Sequence, residues 1–148
     1  MDRTDTLTSL LAEFLGRISS WEHHAVRDET LTLPQMHCIE ILGTHGPMRM
    51  KELAERMGVT TGTLTVLADR MQRRTLVTRM QHETDRRGVV LAATDKGRAV
   101  FEHCRELHSQ LVADMTADFT DEEMTTLCGL MARMTNRLRP QDGAAGHT

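Results

Sequence analysis

Aromatic side chains are scarce in this 148-residue chain, which has three phenylalanines, one tryptophan and no tyrosine. A sheet that stacks nucleic-acid bases on aromatic rings is therefore not expected. Apolar runs are only a few residues long, whereas a membrane-spanning helix needs about 20. The first residues show no basic segment leading into an apolar stretch, so we predict no secretory signal. The length suits one domain with one core.

Cysteine is also scarce, and no two cysteines have CxxC spacing. We expect Cys38, Cys104 and Cys128 to be reduced thiols of a cytoplasmic protein, with Cys38 and Cys128 as small buried hydrophobes. The sequence has neither a glycine-rich phosphate loop nor a GxSxG motif, and its carboxylates lie mostly at helix starts and on solvated faces. We therefore predict no catalytic residues and no enzyme activity.

Positive charge is not in excess, since the net charge is −3. This balance excludes a histone-like basic protein. The charge is unevenly distributed, however, with −4 in residues 1–47, +4 in residues 48–87 and −3 in residues 88–148. A basic segment between acidic flanks is typical of a local surface for a polyanion.

Helical periodicity and capping signals predict the first elements. Apolar residues at helical spacing predict an amphipathic helix within residues 5–30. Thr32 and Gln35 have the spacing of a capping box, which predicts the start of a second helix. The glycines and the proline from Gly43 to Pro47 are expected to break that helix.

The centre of the chain predicts a helix-turn-helix followed by a hairpin. Two short amphipathic segments are separated by Gly58-Val59, and Thr60 is a suitable N-cap for the second segment. The β-prone runs 76–80 and 89–92 flank a polar stretch that ends in glycine. These features predict a DNA-binding type of winged helix with a charged hairpin tip.

Two long helices complete the prediction. Thr94 and the capping box of Thr120 and Glu123 mark their starts. The fold class is therefore mostly α with a small β wing, a winged helix-turn-helix flanked by long dimerisation helices. The predicted regions are helical dimerisation segments at 5–30 and 95–138, a winged helix-turn-helix at 32–93 and a flexible tail at 140–148.

The end segments carry long apolar stripes that a single small winged domain cannot bury. Pairing of two copies would cover these stripes, so we predict a homodimer. In a winged helix, the second helix of the helix-turn-helix, here the one after Thr60, is the one that contacts DNA bases. Two-fold pairing would place the two copies of this helix about one DNA turn apart, which matches a near-palindromic duplex.

The helix that starts after Thr60 has the composition of a helix that reads DNA. Small hydroxyl side chains on its outer face allow close approach to a major groove, and arginines near its end can hold phosphate oxygens. An ordinary solvated helix can have the same composition. The hairpin tip strengthens the first interpretation, because a narrow minor groove attracts arginine. The candidate residues are Thr60, Thr61, Thr63, Thr65, Arg70, Arg73, Arg74, Asp85, Arg86 and Arg87.

Several motifs together resemble the MarR family of bacterial transcriptional regulators, over roughly residues 7–138. The Asp-Arg-Arg wing followed by Thr-Asp-Lys-Gly is the most specific part of the resemblance. The motifs are Leu31-Thr-Leu-Pro-Gln35, Lys51-Glu-Leu-Ala-Glu-Arg-Met-Gly-Val-Thr60, Asp69-Arg70, Asp85-Arg-Arg-Gly-Val-Val-Leu91 and Thr94-Asp-Lys-Gly-Arg98.

The resemblance implies a homodimer whose first and last two helices pair, and a reading helix that follows Gly58-Val59-Thr60. It implies that Arg87 enters the minor groove with Asp85 as its partner. It also implies a repressor that an unidentified small-molecule effector releases from DNA. The chain departs from the family pattern at Thr75, where glycine is usual. A residue with a side chain there must avoid or tolerate a positive φ.

Eight histidines suggest a second interpretation, a regulator of the same fold that responds to zinc or another divalent transition metal. Cys104 and His108 are four residues apart on one helix, a spacing that can hold one ion. His37 and His108 also match positions of a zinc-sensing branch of the family. Alternatively, Cys104 and His108 are core or seam residues. The candidate ligands are His23, His24, His37, Cys104 and His108.

Two further function classes stay open. The first is a helical interaction module whose basic face binds an acidic protein. The second is a metal-dependent enzyme built on the histidine and cysteine set, which would need an open coordination position and a nearby acid or base.

Overall fold

The computed structural model describes residues 2–29, 31–81 and 88–138, and for residues 26–29 it describes the backbone alone. The described residues form helices and a small sheet in the predicted fold class. In this part of the chain, no helix combines the length and the apolar character that crossing a membrane requires. The elements are α1 (Arg3–Glu29), α2 (Leu33–His45), β1 (Met48–Arg49), α3 (Met50–Met57), α4 (Thr61–Arg73), β2 (Val77–Gln81), β3 (Val89–Ala93), α5 (Asp95–Met115) and α6 (Asp121–Arg137).

The sheet has the antiparallel order β1-β3-β2. β2 and β3 form the predicted hairpin, with Val77 opposite Ala93 and Gln81 opposite Val89. β1 was not predicted, because two residues carry no detectable alternation. It pairs Met48 with Leu91 and so closes the sheet against α3. The predicted charged tip, residues 82–87, lies outside the described residues.

The core lies between α2, α3, α4, the sheet and the start of α5. Its largest fully buried side chains include Ile39, Leu53, Leu64 and Leu91. These side chains come from four different elements, and Phe101 and Cys104 at the start of α5 complete the core. We call α2, α3, α4 and the sheet the reading head.

The predicted break within Gly43–Pro47 is confirmed, since α2 continues through Gly43 and ends at His45. The C-cap is Gly46, whose φ of 80° suits glycine. Gly43 has a packing role, because a Cβ atom there would overlap the ring of Phe101 on α5. The absent side chain thus lets α5 pack closely against α2.

The predicted caps are confirmed. Thr32 and Gln35 form a reciprocal capping box at the start of α2, and Thr120 and Glu123 form another at the start of α6. The hydroxyl of Thr94 accepts a hydrogen bond from the backbone N–H of Gly97 at 3.1 Å. These local signals fix helix starts without help from tertiary packing.

The outer helices α1 and α6 bury little of their apolar surface within the chain. No described side chain of either helix is fully buried. Cys128 on α6 is exposed, so its predicted burial is wrong for the single chain. The expectation of a flexible tail at 140–148 lies outside the described residues. The exposed apolar side chains are Leu7, Leu10, Leu11, Phe14 and Leu15 on α1 and Leu127, Leu130, Met131 and Met134 on α6.

Candidate nucleic-acid interface

The turn between α3 and α4 depends on Gly58, which adopts the left-handed conformation with φ 67° and ψ 31°. The N–H of Gly58 donates to the carbonyl of Glu55 at 3.1 Å, and the N–H of Val59 donates to the carbonyl of Ala54 at 3.0 Å. These two bonds form a Schellman motif, which ends one helix and directs the chain into the next. The motif therefore sets the angle at which α4 leaves the turn.

The start of α4 is held by threonine hydroxyls. The Thr60 hydroxyl accepts from the backbone N–H of Thr63 at 3.1 Å and donates to the Thr63 hydroxyl at 3.0 Å. The Thr65 hydroxyl donates to the carbonyl of Thr61 at 2.8 Å. All four threonines are exposed. The predicted hydroxyl-rich surface therefore exists, and it presents oxygen acceptors and methyl groups to solvent.

The opposite face of α4 anchors the helix in the core. Leu64, Ala68 and Met71 have no exposed surface. Because these residues recur at three- and four-residue spacing, they form one buried stripe. The exposed threonines are consequently held on a rigid element of the fold.

Gly62 and Val66 belong to the outer face of α4, and the sequence reasoning missed both. A Cβ atom on Gly62 would have a single neighbour within 4 Å, the Thr60 hydroxyl at 3.9 Å. Val66 is 53% exposed. The sequence did offer a signal for this surface. Gly62 lies inside a helical pattern, and an apolar residue, Val66, follows it four positions later on the outer face. Together they form a small apolar surface suited to a thymine methyl group.

Arg79 on β2 connects the wing to α4, and the sequence reasoning missed this connection as well. Its guanidinium donates to Asp69 Oδ1 at 2.6 Å and to Gln72 Oε1 at 2.9 Å. The sequence carries no local signal for this contact, since β2 meets α4 only after folding. The contact fixes the base of the wing against the candidate reading helix.

The three arginines near the end of α4 differ in their surroundings. Arg70 and Arg73 are exposed, as a phosphate contact requires. Arg74 is half-buried and donates to Gln35 Oε1 at 3.2 Å. Its carbonyl also accepts from Lys96 Nζ at 3.0 Å. This geometry favours a packing role for Arg74 over the predicted phosphate contact. Asp85, Arg86 and Arg87 lie outside the described residues.

Thr75 adopts a φ of 59°, so the chain tolerates a positive φ where glycine was expected. The N–H of Thr75 donates to the Gln72 carbonyl at 2.9 Å, and that of Leu76 to the Met71 carbonyl at 3.0 Å. This is a second Schellman motif, with threonine at the position that glycine usually occupies. A β-branched residue in this region is strained. The Thr94 hydroxyl donates to the Thr75 carbonyl and supports the turn.

The predicted metal ligands are not brought together as a metal centre. In residues 2–29, 31–81 and 88–138, no group of three or more His, Cys, Asp or Glu side chains could hold a metal ion. His23 Nδ1 lies 2.7 Å from the carbonyl of Ser19, and the Cys104 side chain is buried. The zinc interpretation, which also named His24, therefore has no support here.

Two of these histidines instead contact carboxylates on neighbouring helices. His37 on α2 lies 3.1 Å from Glu22 on α1, and His108 on α5 lies 3.0 Å from Glu40 on α2. Burial raises the pKa of the Glu40 carboxyl, an effect that the nearby His108 and His37 oppose and that Glu22 reinforces. The four side chains thus form a polar cluster where three helices meet.

A cavity of about 320 Å³ opens between α2 and α3. Its volume is near the lower limit for small-molecule pockets. Apolar and polar side chains both contribute to its walls, and Arg56 Nη1 lies 3.4 Å from His45 Nε2. The lining residues are His37, Glu40, Ile41, Thr44, His45, Arg56 and Met57.

Comparison with known proteins agrees with this geometry. The sequence profile of the MarR family matches residues 31–89. The HTH-type transcriptional repressor MdtR of Bacillus subtilis is 29% identical over 110 residues, which cover 74% of this chain and 71% of MdtR. The crystal structure of Streptococcus pneumoniae FabT in complex with DNA has a TM-score of 0.81 at 21% identity, covering 91% of this chain and 96% of that one. NadR in complex with 4-hydroxyphenylacetate has a TM-score of 0.75 at 21% identity, covering 86% and 91%.

Proposed function

We propose that this chain is a DNA-binding transcriptional regulator of the MarR family, whose profile matches residues 31–89, and that it acts as a homodimeric, sequence-specific repressor. It binds a near-palindromic operator through α4 and the wing of each copy. A small-molecule effector then releases it from DNA. Because its partner is chromosomal DNA, the protein functions in the bacterial cytoplasm.

The observation that carries this proposal is the outer face of α4. Thr61, Thr65 and Val66 are exposed beside Gly62, while the opposite face is locked into the core. Small side chains around a glycine let the helix approach base edges closely, and hydroxyl and methyl groups are suited to reading them. The net charge of +4 in residues 48–87 adds attraction to phosphates.

A homodimer is supported by the apolar faces of the outer helices. Eight leucines and methionines of α1 and α6 remain 36–58% exposed in the single chain. Large apolar side chains exposed in such numbers mark an interaction site. Pairing through it would present two copies of α4 to successive turns of the major groove.

An effector is supported by relatives of this fold. NadR has been crystallised with 4-hydroxyphenylacetate. Effector control requires only that the ligand bind more tightly to the dimer form that does not fit DNA. A first screen would measure the release of bound duplex by 4-hydroxyphenylacetate and other small organic acids.

The test begins with selection of duplexes from a random library, followed by anisotropy titration against the selected duplex and a scrambled one. Gly62→Leu should abolish the preference for the selected duplex, because the new side chain fills open space on the reading face. Gly129→Leu is the matched control, since a Cβ on Gly129 in α6 meets no atom within 4 Å and one on Gly62 meets only the Thr60 hydroxyl at 3.9 Å. Equal binding by both variants would contradict the proposed reading face.

Salt and the wing separate this proposal from the alternative of a module that binds an acidic protein. A DNA reader loses affinity steeply as salt rises but keeps its preference for its own site. Arg87→Ala should weaken specific binding by about 1–3 kcal/mol. Equal and weak binding to both duplexes at all salt concentrations would favour the interaction module.

A further inference from the structure

The reading head meets the long helices at a cluster of alternating acids and imidazoles. Glu22 comes from α1, His37 and Glu40 from α2, and His108 from α5. His37 and Glu40 are three residues apart, so they lie on the same face of α2. That face therefore contacts α1 through a histidine and α5 through a carboxylate.

The geometry at His108 determines how the α5 contact is made. His108 Nδ1 lies 2.9 Å from the carbonyl of Cys104 and 3.0 Å from Glu40 Oε1. Both partners are acceptors, so Nδ1 must carry the proton and donate to both. The ring of Trp21 on α1 packs on the same imidazole, with centroids 5.1 Å apart. His108 is thereby fixed by all three helices.

The contact to α1 has the same character. His37 Nε2 lies 3.1 Å from Glu22 Oε2, and the Glu22 side chain is only 18% exposed. By contrast, Glu13 on α1 pairs with Arg17 of its own helix at 2.6 Å and is 61% exposed. The Glu22–His37 contact therefore joins α1 to α2, whereas the Glu13–Arg17 pair lies within α1 and joins no second helix.

Polar contacts of this kind can hold an orientation that apolar packing alone leaves loose. Hydrogen bonds prefer a narrow range of angles, whereas apolar contacts have no preferred direction. α2 is part of the reading head, whereas α1 and α5 are the long helices that it contacts, with the start of α5 packed into the shared core. The angle between these two parts sets how far apart two copies of α4 lie in a dimer.

We propose that the Glu22–His37 and Glu40–His108 contacts are positioning links, which fix the orientation of the reading head on α1 and α5 and thereby the spacing of the two reading helices. The inference rests on the proposed function for its consequence on DNA. The links themselves are a property of one chain, and they can be tested without DNA.

Glu22→Leu and Glu40→Leu remove one link each. Leucine has a similar size and no acceptor, and His108 keeps its bond to the Cys104 carbonyl. Glu13→Leu is the matched control, because it removes an ion pair within α1. Glu40→Gln retains an acceptor and should restore most of the link. Glu40→Ala also removes the acceptor, and it serves as the test if the leucine variant is poorly folded.

Pulsed electron paramagnetic resonance would measure distances within a chain. Spin labels at Lys51→Cys on α3 and at Ser9→Cys on α1 or Ala113→Cys on α5 report the two links. Cys128→Ser removes the exposed thiol, and an excess of unlabelled chain suppresses distances between copies. Glu22→Leu should broaden the distribution of label distances between α3 and α1, and Glu40→Leu should broaden the one between α3 and α5. The expected increase in width is more than about 2 Å, which is the scale of helix shifts between packed elements.

The proposed links would be overturned if both leucine variants gave label-distance distributions as narrow as that of Glu13→Leu. On DNA, duplexes with one base pair added between the half-sites give the second measurement. The unmodified protein should disfavour the longer spacing by at least about fivefold, and loss of a link should remove most of that preference. An unmodified protein without sequence preference would overturn the proposed function, while the distance measurement would still decide whether the links exist.

Discussion

The reading head and the outer helices of this chain bury apolar side chains to very different extents. Leu64 and Leu91 in the head have no exposed surface, whereas Leu10 on α1 and Met131 on α6 are 58% and 49% exposed. The helices of both regions are amphipathic, so the helices themselves do not explain the difference in burial. The difference lies in what faces each apolar stripe within the chain.

This comparison separates folding from assembly. The apolar stripes of the head are enclosed by its three helices, its sheet and the start of α5, so one chain suffices for its core. The outer helices have their stripes largely uncovered, and a second copy is the partner that we propose. Substitutions in the head should therefore act on the stability of each chain, while those on the outer helices should act on pairing.

The largest effect is expected at the proposed pairing face. Met131→Glu places a charge on the apolar stripe of α6, so it should produce monomers. Binding to the selected duplex should weaken by more than about 100-fold, because the two half-sites are no longer bound together. Sedimentation equilibrium and anisotropy titration measure the two effects. Ala132→Glu adds the same charge on the other side of α6, and an equal loss in that variant would refute the assignment of the face.

The thiols should show the same contrast between regions. Burial raises the pKa of Cys38 to about 12 from the usual value of 9.0, which lowers its thiolate fraction at pH 8 roughly 1000-fold. The neutral Cys38 thiol therefore contributes fully to the free energy of unfolding below pH 9. This contribution is lost as the pH rises towards 12, because the thiol ionises more easily in the unfolded chain. Iodoacetamide at pH 8 should modify exposed Cys128 well before Cys38, as peptide mass mapping would show. Equal rates for the two would contradict burial of Cys38.

A cavity in the core of the head should destabilise each chain independently of pairing. Leu64→Ala removes a fully buried side chain and should lower the free energy of unfolding by about 2–5 kcal/mol. Val66→Ala on the same helix removes a side chain that is 53% exposed, and its effect should stay within about 0.5 kcal/mol. Urea denaturation measures both. Similar losses in the two variants would mean that α4 is not anchored as described.

The smallest effect is expected at the turn after α4. Thr75→Gly should stabilise the head by up to about 1 kcal/mol, since glycine relieves the strain of a positive φ but adds freedom to the unfolded chain. The same change at Thr65 inside α4 should destabilise by about 0.5 kcal/mol, since glycine is a poorer helix former than threonine. Thermal unfolding would reveal the opposite signs. Destabilisation in both variants would show that Thr75 is not strained.

Local sequence signals predicted most of the fold. The capping residues Thr32, Thr60, Thr94 and Thr120 gave the helix starts correctly, because a cap acts within a few residues of its helix. The exposed threonines of α4 were likewise predicted, since helical periodicity separates the inner from the outer face. The wing residues from Asp85 to Arg87 stay a prediction.

The errors arose where contacts between distant segments decide the structure. The break predicted in Gly43–Pro47 is present at Gly46, but the contact of Gly43 with Phe101 was not foreseen, because a single residue type cannot reveal that partner. The bond of Arg74 to Gln35 on another helix was likewise not foreseen, and its phosphate contact stays a prediction. The histidines were grouped as metal ligands, yet His37 and His108 contact separate carboxylates.

The sequence by itself determined the element order, the caps and the outward face of α4, and it carried the resemblance to the MarR family. These depend on interactions between residues near one another along the chain. Tertiary structure alone decided that Arg79 holds the wing to α4 and that Glu22 and Glu40 join the long helices to the head. Such contacts join residues that only the packing of distant helices and strands brings within hydrogen-bonding distance, so no local pattern specifies them.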